Sequence, residues 1–431
     1  MKTSKPAIIA DDLTGAMDTG VQLLKRWSDV NVVFDEIYIN EIAQESDALV
    51  IDTESRNTSP EEAGSKVYAV IESLNGSGLE LVYKKIDSTL RGNVGKELEV
   101  LLHTGLADLI AFVPALPLNG RTTIKGTHFL NNQLLTESDL ASDPFSSVNS
   151  SYIPDIIGRQ TSIKTAVVGL SEIRGGRGGI LEVLSALRED GCRIIIMDAE
   201  NEQDLQNIAD ALENSLLKIL PCGSAGLFSR MFVRERPGRM PLEHGRYQKD
   251  KPFVVLSGSP AEKSRQQIEF SKGQGVNVLK LDKKRIFGGT AAFLQEVGRI
   301  GSLAVEYLRE AKSVVVDAAG EGKKELKESY SDDPGRLLED GGLIREALSS
   351  IALQIAENVS ISGMMIFGGD TAVSICKRLG TGAVKILGEV EPLVPFGIFA
   401  GGRLDGVPLI TKAGGFGTEN IILDAVKYFS C

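Results

Sequence analysis

Two aspartates, Asp11 and Asp12, stand side by side directly after a short apolar run at residues 7–10. Adjacent carboxylates at a strand exit can hold a hydroxyl group, accept its proton or coordinate Mg²⁺. A helix cap explains one aspartate but not two. A second concentration, KKIDSTLRGN at residues 84–93, packs Lys84, Lys85, Asp87, Ser88 and Arg91 around one turn. Its cations can pair a small anion, while Asp87 and Ser88 can hydrogen-bond hydroxyl groups; the bland alternative is a solvated turn that caps the next helix. Arg56, in the stretch DTESR, can clamp a carboxylate with its planar fork, although a lone arginine is usually just solvated.

Three glycine-bearing turns occupy the second half of the chain. The first holds Ser257, Gly258 and Ser259, and its Ser259-Pro260-Ala261-Glu262 run reads as a capping box. The second, Gly368-Gly369-Asp370-Thr371, lets backbone N–H groups approach a phosphate at a helix N-terminus. The third, around Gly414, Gly415, Phe416 and Gly417, leaves a backbone free to wrap an anion. One such loop is a tight turn; three in one half point to a nucleotide-phosphate site. Residues 92–97, GNVGKE, lack the glycine spacing and the Ser or Thr of a P-loop, and residues 175–179, GGRGG, do not match GxGxxG. Cys222 has no local basic partner and reads as a small residue packed in a tight turn.

Apolar runs alternating with helical patterns predict an α/β fold of two domains, each a mainly parallel sheet flanked by helices. Strands are expected at 7–10, 48–52, 79–86, 109–113, 165–168 and 193–198, then at 253–256, 276–281, 313–317, 363–367 and 383–387. Each candidate cluster follows the carboxyl end of an expected strand, where open sheets bind ligands. Met17, Val21 and Leu24 share a helical face, a helix of about 15 residues begins after Ser59, another spans 94–102, and residues 126–135 read as a β-hairpin. A chain of 431 residues exceeds one ordinary hydrophobic core. The expected division is a domain at 1–233, a linker at 234–251, poor in large apolar residues, and a domain at 252–431. The polar stretch 320–342 reads as a surface excursion.

Composition narrows the function. Hydrophobic residues at 42% and charged ones at 24% fit a soluble globular protein, and a net charge of -11 argues against a nucleic-acid partner. Four dispersed cysteines without CxxC spacing exclude a zinc or disulfide framework, and three scattered histidines suggest no metal cluster. The first residues hold neither a signal peptide nor a membrane span, so the expected location is the cytoplasm.

The segments IIADDLTGAMDTG, KKIDSTLRGNVG, VPALPLNGRTTIKGTHFL, FGGDTAVSICKRLG and ITKAGGFGTENIILDA run in this order over nearly the whole chain. Together they make the chain resemble the four-carbon acid sugar kinases. The resemblance implies a sugar-acid-binding first domain and an ATP-binding second domain, with phosphate transferred across the cleft between them. It implies that Asp11, Arg56 and the turn 84–88 hold the sugar acid. Ser257, the loop 368–371 and the loop 414–417 would hold ATP. The plain KKIDST motif is more similar to the D-threonate and D-erythronate branch, whose usual product is the 4-phosphate, than to the oxo-tetronate branch with its Ser- and Thr-rich version. On this reading Lys85, Arg91 and Arg56 position the carboxylate, Mg²⁺ accompanies ATP, and Asp12 is the first candidate base with Asp11 and Asp87 behind it. The expected partners are a small sugar acid and ATP, with neither nucleic acid nor membrane, and a homodimer is left open. The rivals are a nicotinamide-dependent dehydrogenase, disfavoured by the missing GxGxxG, and a non-catalytic sugar-acid sensor.

Overall fold

The computed structural model describes residues 5–138, 148–231, 251–318 and 334–430. The chain divides into two compact units, Met1–Ser28 with Asp35–Pro237 and Asp29–Phe34 with Gly238–Cys431. The strands are β1 (Lys5–Ala10), β2 (Val30–Val33), β3 (Ala48–Asp52), β4 (Leu79–Lys85), β5 (Leu109–Val113), β6 (Arg121–Ile124), β7 (Thr127–Leu130), β8 (Gln133–Leu134), β9 (Thr165–Val168), β10 (Ile194–Met197) and β11 (Ile219–Gly223), followed by β12 (Phe253–Ser257), β13 (Asn277–Lys280), β14 (Val314–Asp317), β15 (Gly363–Phe367), β16 (Ala383–Glu391), β17 (Val394–Ala400) and β18 (Pro408–Lys412).

In the first unit a parallel sheet runs in the order β3-β1-β4-β11-β5-β10-β9. Its strands are near-continuous apolar runs because helices cover both faces; all five residues of β3 and of β5 are buried. The register sets Ala10 beside both Asp52 and Lys85, Lys85 beside Gly223, and Gly223 beside Val113. One edge of the sheet therefore gathers Asp11, Asp12 and the ends of β3 and β4. Helix Pro60–Leu74 has the expected start: the Ser59 hydroxyl accepts the Glu62 N–H and proline occupies the first turn. The expected hairpin is a three-stranded antiparallel meander, β6-β7-β8.

In the second unit β13, β14, β12, β15 and β18 are parallel, and β17, β16 and β2 continue the sheet antiparallel. Ser257, Phe367 and Lys412 lie in register at the ends of β12, β15 and β18. That alignment sets the three glycine-bearing turns next to one another. Phe253, Met365, Phe396, Ile410 and Phe429 are central to the buried core.

Several expectations change. Residues 29–34, within the continuous stretch 1–233 expected as one domain, belong to the second unit, because β2 pairs with β16. Cys222 lies in β11, where Gly223 can accept no side chain: a Cβ would come within 2.2 Å of the Val113 carbonyl oxygen. Val21 and Leu24 are only partly buried; the inward face of helix Leu13–Leu23 is Leu13, Ala16, Met17, Gly20 and Leu23. Ser259 does not cap a helix. Helix Glu262–Gly273 starts after Ala261, and the Ser259 hydroxyl bonds Ser264 instead. The polar stretch 320–342 ends in structure, since helix Pro334–Asn358 begins within it. Its remainder, and the linker expected at 234–251 apart from Lys251, lie outside the described residues.

Candidate active site

Arg56 organises the acidic end of the first unit. Its Nε and Nη2 donate to Asp11 at 3.0 and 2.9 Å, while Nη1 and Nη2 donate to Asp12 at 2.6 and 2.7 Å. Four donor contacts thus go to the aspartates, so the fork expected to hold a ligand carboxylate holds the chain's own. Gly92, at φ +96°, lets its backbone lie against Arg56: a Cβ there would come within 3.2 Å of the arginine Cα. Asp12 also caps helix Leu13–Leu23 through Gly15 N–H at 2.9 Å. Among the described residues its Oδ2 accepts one hydrogen bond, from Arg56 Nη1, which leaves an acceptor position.

The three candidate bases differ in acidity. Burial raises Asp11, but the charges of Arg56, Lys84 and Lys85 outweigh it and hold the group below the ordinary range. For Asp87 burial is likewise outweighed, by Arg91, Arg56 and hydrogen bonds from Arg91 and Thr89, both 2.5 Å, so its carboxyl lies far below that range. Asp12 is raised: burial and the charges of Asp11 and Asp87 prevail over Arg56 and Lys85. Asp52, beside them at the end of β3, is pushed well up by burial and by the Glu54 charge, and its Oδ2 is buried with no hydrogen-bond partner.

The adjacent lysines part company because successive side chains of a strand point to opposite faces. Lys84 is fully buried and pairs with Glu97 at 2.6 Å; Ser55 supports that glutamate with a 2.6 Å hydrogen bond. Burial lowers the Lys84 ammonium, and Glu97 with Asp11 more than restores it. Lys85 donates to Ile86 O at 3.1 Å and lies against Gly15, whose added Cβ would come within 2.9 Å of Nζ. It forms no ion pair among the described residues, although its charge acts on both Asp11 and Asp12. Ser88 presents a hydroxyl without a partner among the described residues. Its carbonyl is held by His128 Nε2 at 2.8 Å, and Thr123 Oγ1 bonds His128 Nδ1 at 3.0 Å. Burial and Arg121 push the imidazole down to about 4 despite the Ser88 bond. A neutral ring that donates from Nε2 to a carbonyl must accept the Thr123 hydroxyl at Nδ1. Arg121, whose Nε is buried without a partner, adds another cation near Asp87.

In the second unit the Ser257 hydroxyl is fully buried and unpartnered. The Gly258 backbone meets Thr371, whose Oγ1 would lie 2.6 Å from an added Cβ. Helix Gly369–Arg378 has no side-chain cap, and Gly368, at φ +107°, gives its N–H to Lys412 O at 2.9 Å. Gly369, Asp370 and Thr371 form the helix's first turn. Gly414 packs so closely that a Cβ would come within 2.6 Å of Ala261 and 2.7 Å of Ser259 Oγ, whereas nothing lies within 4 Å of one on Gly415. An orphaned hydroxyl, an uncapped helix and a cradle without side chains fit a polyphosphate. Among the described residues no three His, Cys, Asp or Glu side chains converge as a metal cage. No helix among the described residues is long and apolar enough to cross a membrane.

Several of these groups escaped the sequence reading. Glu97 lies in the stretch 92–97 that fails as a P-loop, Asp52 reads only as the neighbour of Arg56, and His128 only as one of three scattered histidines, so none is expected at the site. In the second unit, Gln267 beside Ile268 on the inward face of helix Glu262–Gly273 is a signal of buried polar work that the sequence does carry.

The chain matches the family model described as a sugar-binding N-terminal domain over residues 6–231 and that of a nucleotide-binding C-terminal domain over residues 254–422. It is 33% identical over 432 residues to a D-threonate kinase of Salmonella typhimurium, covering 98% of each chain. It is 28% identical over 434 residues to a D-erythronate kinase of Heliobacterium modesticaldum, with 99% and 97% covered. A 3-oxo-tetronate kinase of Salmonella typhimurium is 25% identical over 429 residues, with 99% of each covered. A crystal structure described as a putative tRNA synthase from Salmonella typhimurium shares the fold, with a TM-score of 0.78 at 24% identity over 99% of this chain and 100% of that one.

Sheet edge, glycine turns and relatives together define a phosphotransferase with an alcohol group as acceptor. The chain belongs to the four-carbon acid sugar kinase family.

Proposed function

We propose that this kinase transfers the γ-phosphoryl group of ATP to the terminal hydroxyl of D-threonate, giving 4-phospho-D-threonate, in the cytoplasm and with Mg²⁺ on the nucleotide. In this proposal the sugar acid occupies the first unit, expected at 1–233 less residues 29–34, and ATP the second, expected at 252–431. The observation that carries the reading is Lys85: a buried cation without an ion-pair partner among the described residues, set between a carboxylate pair and the Ser88 turn. A tetronate offers one carboxylate and three hydroxyl groups, and this turn offers one cation with acceptors and a free hydroxyl beside it.

In this reading Lys85 holds the substrate carboxylate, Arg91 adds positive charge from its place on Asp87, and Ser88 hydrogen-bonds a substrate hydroxyl. Arg56 fixes Asp11 and Asp12 rather than touching the carboxylate. Asp12, the only one of the three candidates raised in pKa, takes the hydroxyl proton at Oδ2. Ser257, the helix turn 369–371 and the glycines 414–417 hold the nucleotide, which supplies the transferred phosphoryl group and the charge that backbone amides must bear. Support for D-threonate over other tetronates comes from the KKIDST motif and from the name of the relative at 33% identity.

The test is ADP release by the full chain with ATP, Mg²⁺ and a panel of D-threonate, D-erythronate, 2-oxo-tetronate and 3-oxo-tetronate. D-threonate is expected to give the highest kcat/KM and D-erythronate the next. A site that hydrogen-bonds a hydroxyl rejects a substrate that leaves it unpaired. A keto acid phosphorylated in preference to both hydroxy acids overturns the assignment.

A further inference from the structure

The turn 413–418 is folded around two buried side chains that the transfer chemistry does not use. Lys412, 1% exposed, sends its ammonium back into its own loop, to Ala413 O at 3.1 Å, Gly414 O at 3.3 Å and Phe416 O at 3.1 Å, and to Ser264 Oγ at 3.3 Å. It also sits 4.4 Å from the centre of the Phe367 ring. From helix Glu262–Gly273, Gln267 Nε2 donates to Phe416 O, Gly417 O and Thr418 O at 3.1, 3.0 and 2.8 Å. Five consecutive or near-consecutive carbonyls thus point inward.

Peptide planarity turns this into a statement about the other side of the loop. In a trans peptide the N–H of the next residue points opposite to the carbonyl. With the carbonyls of residues 413, 414 and 416 turned in, the N–H groups of Gly414, Gly415 and Gly417 are turned out. None of the three has an acceptor among the described residues. The two other amides of residues 414–418 are occupied: Phe416 N–H bonds Ala413 O at 3.3 Å, and Thr418 N–H bonds Glu391 Oε2 at 2.6 Å.

We infer that Lys412 and Gln267 are positioning residues that draw the loop's carbonyls inward and so aim three glycine N–H groups at the nucleotide phosphates, with the charge of Lys412 setting nucleotide affinity without touching the nucleotide. This rests on the assignment of ATP to the second unit. The charged groups facing Lys412 are Lys263 on helix Glu262–Gly273 and Glu391 on β16. Burial and the charge of Lys263 together hold the ammonium down at about 7, against the opposing pull of Glu391. An anion on the outer face favours the charged form, so affinity is greatest at lower pH and declines as pH rises through the lysine's titration.

The experiment is calorimetric titration of the full chain with ADP and Mg²⁺, and separately with D-threonate, across about pH 6.5 to 9. Wild type should bind ADP more weakly as pH rises. Lys412→Met should bind it about tenfold more weakly at neutral pH, with a flatter profile, and should bind D-threonate normally. The flat profile removes the ionisation of ADP itself from the comparison. Because the substitution removes a buried charge but also the donor to three loop carbonyls, a modest loss of thermal stability is expected, without loss of D-threonate binding. Falling stability with parallel loss of both ligands would mean a merely structural lysine and overturns the inference, as does ADP affinity within about twofold of wild type. If Lys412→Met does not fold, Gln267→Leu is read by the same two criteria. Wild type that binds D-threonate but no ADP at any pH overturns the nucleotide assignment itself; wild type that binds ADP while both variants match it overturns only the role of the two side chains.

Discussion

Proton transfer separates three aspartates that sit within one cluster. A base for the substrate hydroxyl must bind a proton readily, and Asp11 and Asp87 are both held below the ordinary range by their arginines, whereas Asp12 is raised. Asp12→Asn is therefore expected to lower kcat by roughly a hundredfold to ten-thousandfold, with a smaller change in KM for the sugar acid. The wild-type kcat profile should fall on the acid side at a pH above that of an ordinary aspartate; near-normal kcat in the variant removes Asp12 from the mechanism. The neighbouring lysines make a second contrast. Lys84→Met strands Glu97 in the interior, so it should cost stability by about 3–5 kcal/mol. Lys85→Met breaks no ion pair and leaves Arg56 on both aspartates, so it should cost less stability and raise KM for every tetronate alike, since all share the carboxylate. Equal unfolding midpoints for the two variants would contradict the division of labour.

Elements were legible where burial on both faces wrote a plain apolar run, as in ALVID, LIAFV and GMMIF. They were hidden where Pro or Gly interrupts the run: β11 reads ILPCG, β17 reads VPFGIFA, and β18 opens at Pro408. The site followed the same rule. Its loops stood out by glycine and charge, but their supports come from afar, His128 from 40 residues beyond Ser88 and Gln267 from 150 residues before Gly417. No local pattern marks such pairs. The meander's tie to the substrate turn gives an element-scale prediction. The imidazole of His128 is held down to about 4 from an ordinary 6.5, so the unfolded chain binds the extra proton first as pH falls. Stability of the first unit should be fully present above about pH 6.5 and decline toward about pH 4, by roughly 3 kcal/mol from this group. Urea unfolding followed by Trp27, the single tryptophan and a member of that unit, reports it. His128→Gln should lose this part of the pH slope; an unchanged slope assigns it to other groups.

At the scale of the whole molecule, the groups proposed to hold acceptor and donor belong to separate compact units, each at its own strand ends. A lesion confined to one edge should then remove one ligand and spare the other. Gly415→Val is the sharper probe of the donor side, because among the described residues nothing beyond its chain neighbours lies within 4 Å of the new Cβ. The fold has nothing to absorb, and any loss reports on what approaches the loop from outside. Gly414→Val, by contrast, drives a branched side chain into Ala261 and Ser259, so it should distort the loop as well as block it. Calorimetry with ADP and Mg²⁺ is expected to show binding weakened by about tenfold or more in Gly415→Val, with D-threonate affinity unchanged. Lys85→Met should show the reverse. If Gly415→Val loses both ligands equally while its unfolding midpoint matches wild type, the two ligands do not occupy separate units. If it loses neither, the glycine loop does not face the nucleotide.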